Sequence, residues 1–158
     1  MDVLQAISNR RSHRSYKEEQ LTEERLSAIL RAGLESPSAR NHQPWHFSVV
    51  QDKALISRFH LCEKQFPWTQ VDCGIAVQNM ALAAEGLGIG SVILGLPKPA
   101  FTGDKADELR ARLQCPEGYD FVIALSLGYA TDMKEAHDLR EERSAGSEGS
   151  GNAYITLA

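Results

Sequence analysis

The sequence predicts a single domain built from both helices and strands, and three observations carry that reading. Residues 22–34 repeat their apolar side chains at helical spacing, while 72–87 is apolar on almost every side, the pattern of a buried helix. Short apolar runs at 47–50, 91–94 and 121–127 have the length of strands. The 158 residues, 42% hydrophobic and 24% charged, suit one soluble domain with a real core.

Each element has a local cause. Residues 2–9 read as a short helix leading into Arg10-Arg11-Ser12-His13-Arg14. Thr22 is a helix cap, and Glu23 and Glu24 lie in the first turn, where the helix dipole favours acids. Leu26, Ile29, Leu30, Gly33 and Leu34 then form one buried face, and Ser36-Pro37 ends the helix because a residue before proline leaves the α region. A polar loop, 38–44, precedes the strand 47–50. Gly86 and Gly88 close the apolar helix, and Ser91-Val92-Ile93-Leu94 is a short buried strand. Residues 104–114 form an amphipathic helix on Ala106, Leu109 and Leu113, and 121–127 is a buried central strand. Beyond Tyr129 the chain is charged, and 144–152 has linker composition. The closing segment 153–157 is either a strand added to a neighbouring subunit's sheet or a frayed tail.

Bulk properties exclude several classes. A net charge of −4 argues against a general nucleic-acid binder. No stretch is apolar enough to span a bilayer, and the N-terminal residues lack the apolar core of a secretory signal. Cys62, Cys73 and Cys115 are odd in number and form no CxxC, which reads as reduced thiols in a cytoplasm. No metal site is expected: His42 and His46 are four apart, but Pro44-Trp45 interrupts any helix between them.

Two constellations carry chemistry. In Arg10-Arg11-Ser12-His13-Arg14, three guanidiniums repel one another, Arg10 and Arg14 sharing a helical face, so that an anion relieves a real cost. The alternative is a solvated basic patch. In the loop 37–45, Ser38, Asn41 and Gln43 carry donors and acceptors suited to a heterocycle edge or a ribityl chain, or else build an ordinary capped turn. Trp45 is a packing residue behind that loop, and Phe66 and Trp68 serve core packing before any role as lids. The glycines 86, 88 and 90 follow a helix rather than a strand, which rejects a dinucleotide fingerprint.

Taken together, five motifs in register closely resemble the FMN-dependent nitroreductase family: Arg-Arg-Ser-x-Arg at 10–14, Pro37-Ser38-Ala39-x-Asn41-x-Gln43-Pro44-Trp45, Asp72-x-Gly74-x-Ala76-x-Gln78-Asn79, Leu87-Gly88-Ile89-Gly90-Ser91, and Leu127-Gly128-Tyr129. They cover most of residues 7–129. The resemblance implies an α+β fold with a central mixed or antiparallel sheet flanked by helices. It implies one domain over 1–158, with 130–158 as an extended arm exchanged in a homodimer that holds FMN at its interface. By the same resemblance Arg10, Arg11 and Arg14 hold the FMN phosphate, Ser12 reaches the phosphate or ribityl chain, and Lys134 adds a late basic residue, with Arg140 a weaker substitute. Pro37, Ser38, Ala39, Asn41 and Gln43 border the flavin from the second subunit. Ile93, Leu94 and Gly95 lay backbone against the isoalloxazine, with an N–H near flavin N5.

The implied activity is ping-pong hydride transfer from NADH or NADPH to nitroaromatics, quinones or other electron-poor substrates. The flavin carries the chemistry, so no catalytic acid or base is assigned. One departure stands out: only Gln51 to Val71 lie between the strand ending at Val50 and the helix near Asp72, where the family has a longer stretch with a helix, residues touching the flavin pyrimidine edge and a further sheet strand. Phe59-His60-Leu61-Cys62 is the remnant of that strand. Its loss would leave unpaired backbone, and this motivates a different class of function, a flavin-binding protein with little or no turnover.

Overall fold

The computed structural model describes residues 1–51, 68–95, 104, 106–135 and 137, with the backbone of 59–63. The expected terminal strand at 153–157, Arg140 and Phe66 lie outside the described residues. In chain order the elements are α1 (Val3–Asn9), α2 (Glu23–Leu34), β1 (Trp45–Ser48), β2 (Phe59–Glu63), α3 (Thr69–Gly86), β3 (Gly90–Leu94), α4 (Ala106–Arg112) and β4 (Tyr119–Gly128), with a 3-10 turn at Ala39–Asn41.

The four strands form one sheet in the order β1-β2-β4-β3, and every neighbouring pair is antiparallel. The residues expected to be a strand remnant are therefore a full partner: β2 pairs with β1 on one side and β4 on the other. Shortening the 51–71 segment has not removed this strand. β4 is the long central strand, as its apolar run predicts. Its register against β2 slips between His60 and Leu61, which face Ile123 and Phe121, so Val122 is the extra residue of a bulge. The bulge switches the face that later residues present. Phe121 and Ala124 pack with Leu113 and Leu109 on the α4 side, whereas Val122, Ile123, Leu125 and Leu127 face the clusters built on α3.

α3 is buried as its composition requires, with Ala76, Val77, Met80, Ala81 and Ala84 fully enclosed. It begins three residues earlier than the sequence pattern suggested, since nothing between Pro67 and Asp72 breaks a helix. Its end is a Schellman cap: Ile89 N–H donates to the Ala84 carbonyl at 2.9 Å, and Gly88 N–H to that of Glu85 at 2.9 Å. Gly88, at φ +70, supplies the left-handed residue this cap requires. The cap turns the chain straight into β3.

α2 packs on α3 through Leu26, Ile29 and Gly33, and a Cβ on Gly33 would stand 2.7 Å from the Met80 sulfur. Thr22 caps the helix as expected, accepting from Arg25 N–H at 3.4 Å. Leu34 corrects the expected buried face: it is 55% exposed, so the covered stripe of α2 is narrower than the apolar one. α1 carries a capping box between Asp2 and Gln5 yet exposes Val3, Leu4 and Ile7.

Candidate functional site

α1 stops at Asn9, and Arg10 is extended (φ −53, ψ 126). The arginine run is thus not helical, which corrects the expectation that Arg10 and Arg14 share a helical face. Instead it lies along the sheet: Ser12 bridges Ser91 in parallel, His13 N–H donates to the Ser91 carbonyl at 2.9 Å, and Tyr16 bridges Ala130. Two glycines permit this docking. A Cβ on Gly90 would meet Ala130 at 2.7 Å and His13 at 3.2 Å, and one on Gly128 would meet the Tyr16 ring at 2.7 Å.

Extended backbone sends alternate side chains to opposite sides. Arg10, Ser12 and Arg14 therefore share one side, and Arg11 and His13 the other. The contacts follow this division. Arg11 donates from Nε to the Glu135 carbonyl at 2.7 Å, and from Nη1 to those of Ser8 and Arg10 at 2.7 and 2.9 Å. Only its Nη2 hydrogens remain for a ligand. The guanidiniums of Arg10 and Arg14 have no hydrogen-bond or ion-pair partner among the described residues.

Lys134 is brought to the same place, held by a residue the sequence reading left without a role. Asp132 accepts from His13 Nδ1 at 2.8 Å, from Lys134 Nζ at 3.1 Å and from the Arg14 N–H at 3.4 Å. An ionised carboxylate only accepts, which fixes the proton on Nδ1. The His13 hydrogen bond, helped by Lys134, holds the Asp132 carboxyl well below the usual carboxylate range. His13 occupies the variable position of the Arg-Arg-Ser-x-Arg motif, which is why pattern reading passed over it.

Among the described residues β3 is an edge strand, and its polarity follows from one bond. Because the Ser91 carbonyl points away from β4 to His13, the N–H and C=O of Ile93, two residues on, also point to the open edge. That N–H stands roughly 7 Å along the strand from Ser91, given about 3.3 Å of rise per residue. Ile93 is 38% exposed, Leu94 partly buried and Gly95 exposed.

The loop 37–43 is tied to the other end of α3. Ala39 N–H donates to the Asp72 carboxylate at 3.2–3.3 Å, and Asn79 Nδ2 donates to Ser36 Oγ at 2.8 Å. Asp72, 3% exposed, was legible only as part of a motif and proves to anchor the loop. Inside the loop, Ser38 Oγ accepts from Gln43 N–H at 2.9 Å, Asn41 Oδ1 accepts from Gln43 Nε2 at 2.8 Å, and Asn41 N–H donates to the Ser38 carbonyl at 3.0 Å. Arg40, Asn41 and Gln43 all take positive φ (53, 56 and 50). Pro37 is exposed beside it. Along a helix rising about 1.5 Å per residue, Asp72 and Gly86 stand roughly 20 Å apart. The loop and the arginine run are thus at opposite ends of α3 within this chain.

Neighbouring expectations divide. Trp45 is buried and stacks on Phe47 with ring centroids 6.1 Å apart, the packing role expected. Trp68 is 58% exposed and not in the core, since it precedes α3 on the outside of its first turn. Cys73 is disulfide-bonded, which corrects the reading of three reduced thiols and removes the thiol argument for a cytoplasm; sequence separation says little about distance once sheet and helix pack together. Cys115 is a free thiol. No helix among the described residues is long and apolar enough to cross a membrane.

Comparison with known proteins now bears on this geometry. The model of the nitroreductase family matches residues 7–61 and 58–129. The chain is 34% identical over 162 residues to an Archaeoglobus fulgidus protein provisionally named NADH dehydrogenase/NAD(P)H nitroreductase, covering 87% of this chain and 90% of the relative. It is 25% identical over 171 residues to the FMN reductase [NAD(P)H] of Bacillus subtilis, covering 83% and 67%. Among solved structures, an FMN-bound nitroreductase from Desulfitobacterium hafniense superposes with a TM-score of 0.88 at 29% identity, covering 94% of this chain and all of the other. With the family model spanning most of the chain and the fold and both motif regions in register, the chain belongs to the nitroreductase family.

Proposed function

We propose that the chain is an FMN-dependent oxidoreductase that draws hydride from NADH or NADPH and delivers it to an electron-poor acceptor such as a nitroaromatic or a quinone. The observation that carries this reading is the alignment of Arg10 and Arg14, which have no side-chain partner among the described residues, with the β3 edge that no described strand covers. The residues fit the group. Arg10 and Arg14 present forked donors suited to a terminal phosphate, with Ser12 between them on the same side. Arg11 retains its Nη2 donors, and Lys134 adds a point charge. The Ile93 N–H, with Leu94 and Gly95 following, provides a backbone donor with no strand partner among the described residues for the polar rim of a flat heterocycle.

Bound FMN supplies hydride transfer between nicotinamide and acceptor. The chain's own residues bind and orient: the arginines fix one end, the β3 edge fixes the other, and a fixed donor there favours negative charge without reorganising. No side chain is assigned a proton-transfer role.

A homodimer completes the site in this reading. Loop 37–43 lies too far from the arginine run to meet the same ligand within one chain, so Pro37, Ser38, Ala39, Asn41 and Gln43 are assigned to the ligand held by a partner. Exposed Val3, Leu4 and Ile7 on α1, and Trp68, Val71 and Ile75 around the start of α3, supply apolar surface for that contact. The rival reading, a flavin binder without turnover, loses its missing-strand argument because β2 is paired on both sides, and it now rests on the pyrimidine-edge contacts that the shortened 51–71 segment would have to supply.

The test is an absorbance spectrum of the purified protein followed by anaerobic addition of NADH or NADPH. A bound flavin that bleaches and recovers on adding a quinone or nitroarene supports the reductase. A bound flavin that never bleaches supports the binding protein, and a protein that cannot be loaded with FMN contradicts both.

A further inference from the structure

Asp132 contacts three parts of the basic cluster at once: His13, the Arg14 backbone and Lys134. We infer that His13 and Asp132 are a positioning pair that holds Lys134 at the phosphate end of the site. The inference rests on the proposed FMN site and goes beyond it by naming residues that touch no ligand themselves.

The argument starts from the chain beyond β4. Up to Thr131 it is tied to the N-terminal segment by Lys17 N–H to the Tyr129 carbonyl at 2.8 Å, Thr131 N–H to that of Ser15 at 2.9 Å and Thr131 Oγ1 to Ser15 Oγ at 2.6 Å. Residues 132–135 have no regular structure, and their described tethers are the Asp132 contacts and the Arg11 bond to the Glu135 carbonyl. A lysine on such a segment has a flexible four-carbon stem and would sample many positions. It would also be pushed away from Arg10 and Arg14 by like charge. Asp132 removes both problems: one oxygen is fixed by His13, itself only 15% exposed, and the other holds the ammonium. His13 is in turn locked by its own N–H to Ser91, and Tyr16 O–H donates to its carbonyl. The depressed protonation of Asp132 agrees with a carboxylate whose charged form is held from two sides. A competing role, in which Asp132 occupies the phosphate's place and must be displaced, predicts the opposite sign.

The experiment compares the affinities of the full chain for FMN and for riboflavin, which lacks the phosphate, by quenching of flavin fluorescence. The expected result is that Asp132→Asn lowers the preference for FMN by roughly tenfold, the scale of one charge-assisted contact, and leaves riboflavin affinity unchanged. Lys134→Met lowers it similarly, and the double variant falls no further than Lys134→Met alone, because the two act through one contact. His13→Ala reproduces the Asp132→Asn loss by an independent route. An unchanged or increased preference in Asp132→Asn, or additive losses in the double variant, overturns the inference while the phosphate site stands. Equal loss of both flavins in Asp132→Asn and His13→Ala makes the pair merely structural and also overturns it. A wild-type chain that binds riboflavin as tightly as FMN sinks the phosphate site itself, and the inference with it.

Discussion

The arginine run and the loop 37–43 were both legible as polar constellations, yet the fold treats them differently. The run is laid along β3, and its labour is divided: Arg11 and His13 bind the chain's own 132–135 segment, while the Arg10 and Arg14 guanidiniums have no partner among the described residues. The loop's polar groups are instead bonded to one another and to α3, with three residues in the left-handed region. Three such residues cost energy that the Asp72 and Ser38 contacts must offset. A preformed set of free cations recognises an anion on its own; a self-satisfied loop shapes a surface and needs something else to complete the site. Under the proposed function, the difference gives binding strength to one region and shape to the other.

Replacing both arginines tests the first half of this contrast and carries the largest effect. Each of Arg10→Ala and Arg14→Ala removes a charge-assisted partner of about 1.5–3 kcal/mol, roughly tenfold to hundredfold in FMN affinity apiece. Riboflavin affinity should stay put, and flavin titration of each variant reads both. The docking of the run is probed by Gly128→Ala, whose new methyl would stand 2.7–2.9 Å from three Tyr16 atoms. Its expected cost is about 1–3 kcal/mol in urea unfolding. Gly86→Ala, with nothing within 4 Å, should be neutral or stabilising by up to about 1 kcal/mol.

The loop is sharpened by Asp72→Ala, which leaves the Ala39 N–H without its acceptor. Stability should fall by about 1–3 kcal/mol, whereas the ratio of FMN to riboflavin affinity should hold. A change in that ratio would erase the distinction between the two regions. The smallest effect concerns pH. Asp132 titrates below its unfolded value, so its contribution is fully present above about pH 4 and is lost as pH falls toward the folded value. Unfolding midpoints measured from neutral pH downward should drop less steeply for Asp132→Asn than for wild type.

Much of the fold was readable because its determinants are local. The apolar period of α2, the uniformly apolar α3, the glycine-closed turn into β3 and the apolar run of β4 each name their element without reference to the rest. What the sequence did not show depended on distant contacts. Leu34 has the right spacing to be buried, but no described neighbour covers it. Phe59-His60-Leu61-Cys62 reads only as a strand remnant, and its pairing on both sides is decided by β1 and β4. In the site, charge and motif spacing pointed to Arg10, Arg11 and Arg14, and the family resemblance to Lys134, but the helical reading of the run hid its alternation. Asp132 and His13 are far apart in sequence and were visible only once β4 returned beside the N-terminal segment. Asp72 looked like a helix residue because its ligand is a backbone N–H, which leaves no trace in composition.

The most direct measurement is a crystal structure of the FMN-loaded protein. The account predicts the phosphate within hydrogen-bond reach of Arg10 and Arg14, the ring along the β3 edge at the Ile93 N–H, and loop 37–43 of a second subunit beside it. A phosphate held elsewhere, or a ring that leaves the β3 edge bare, would contradict it.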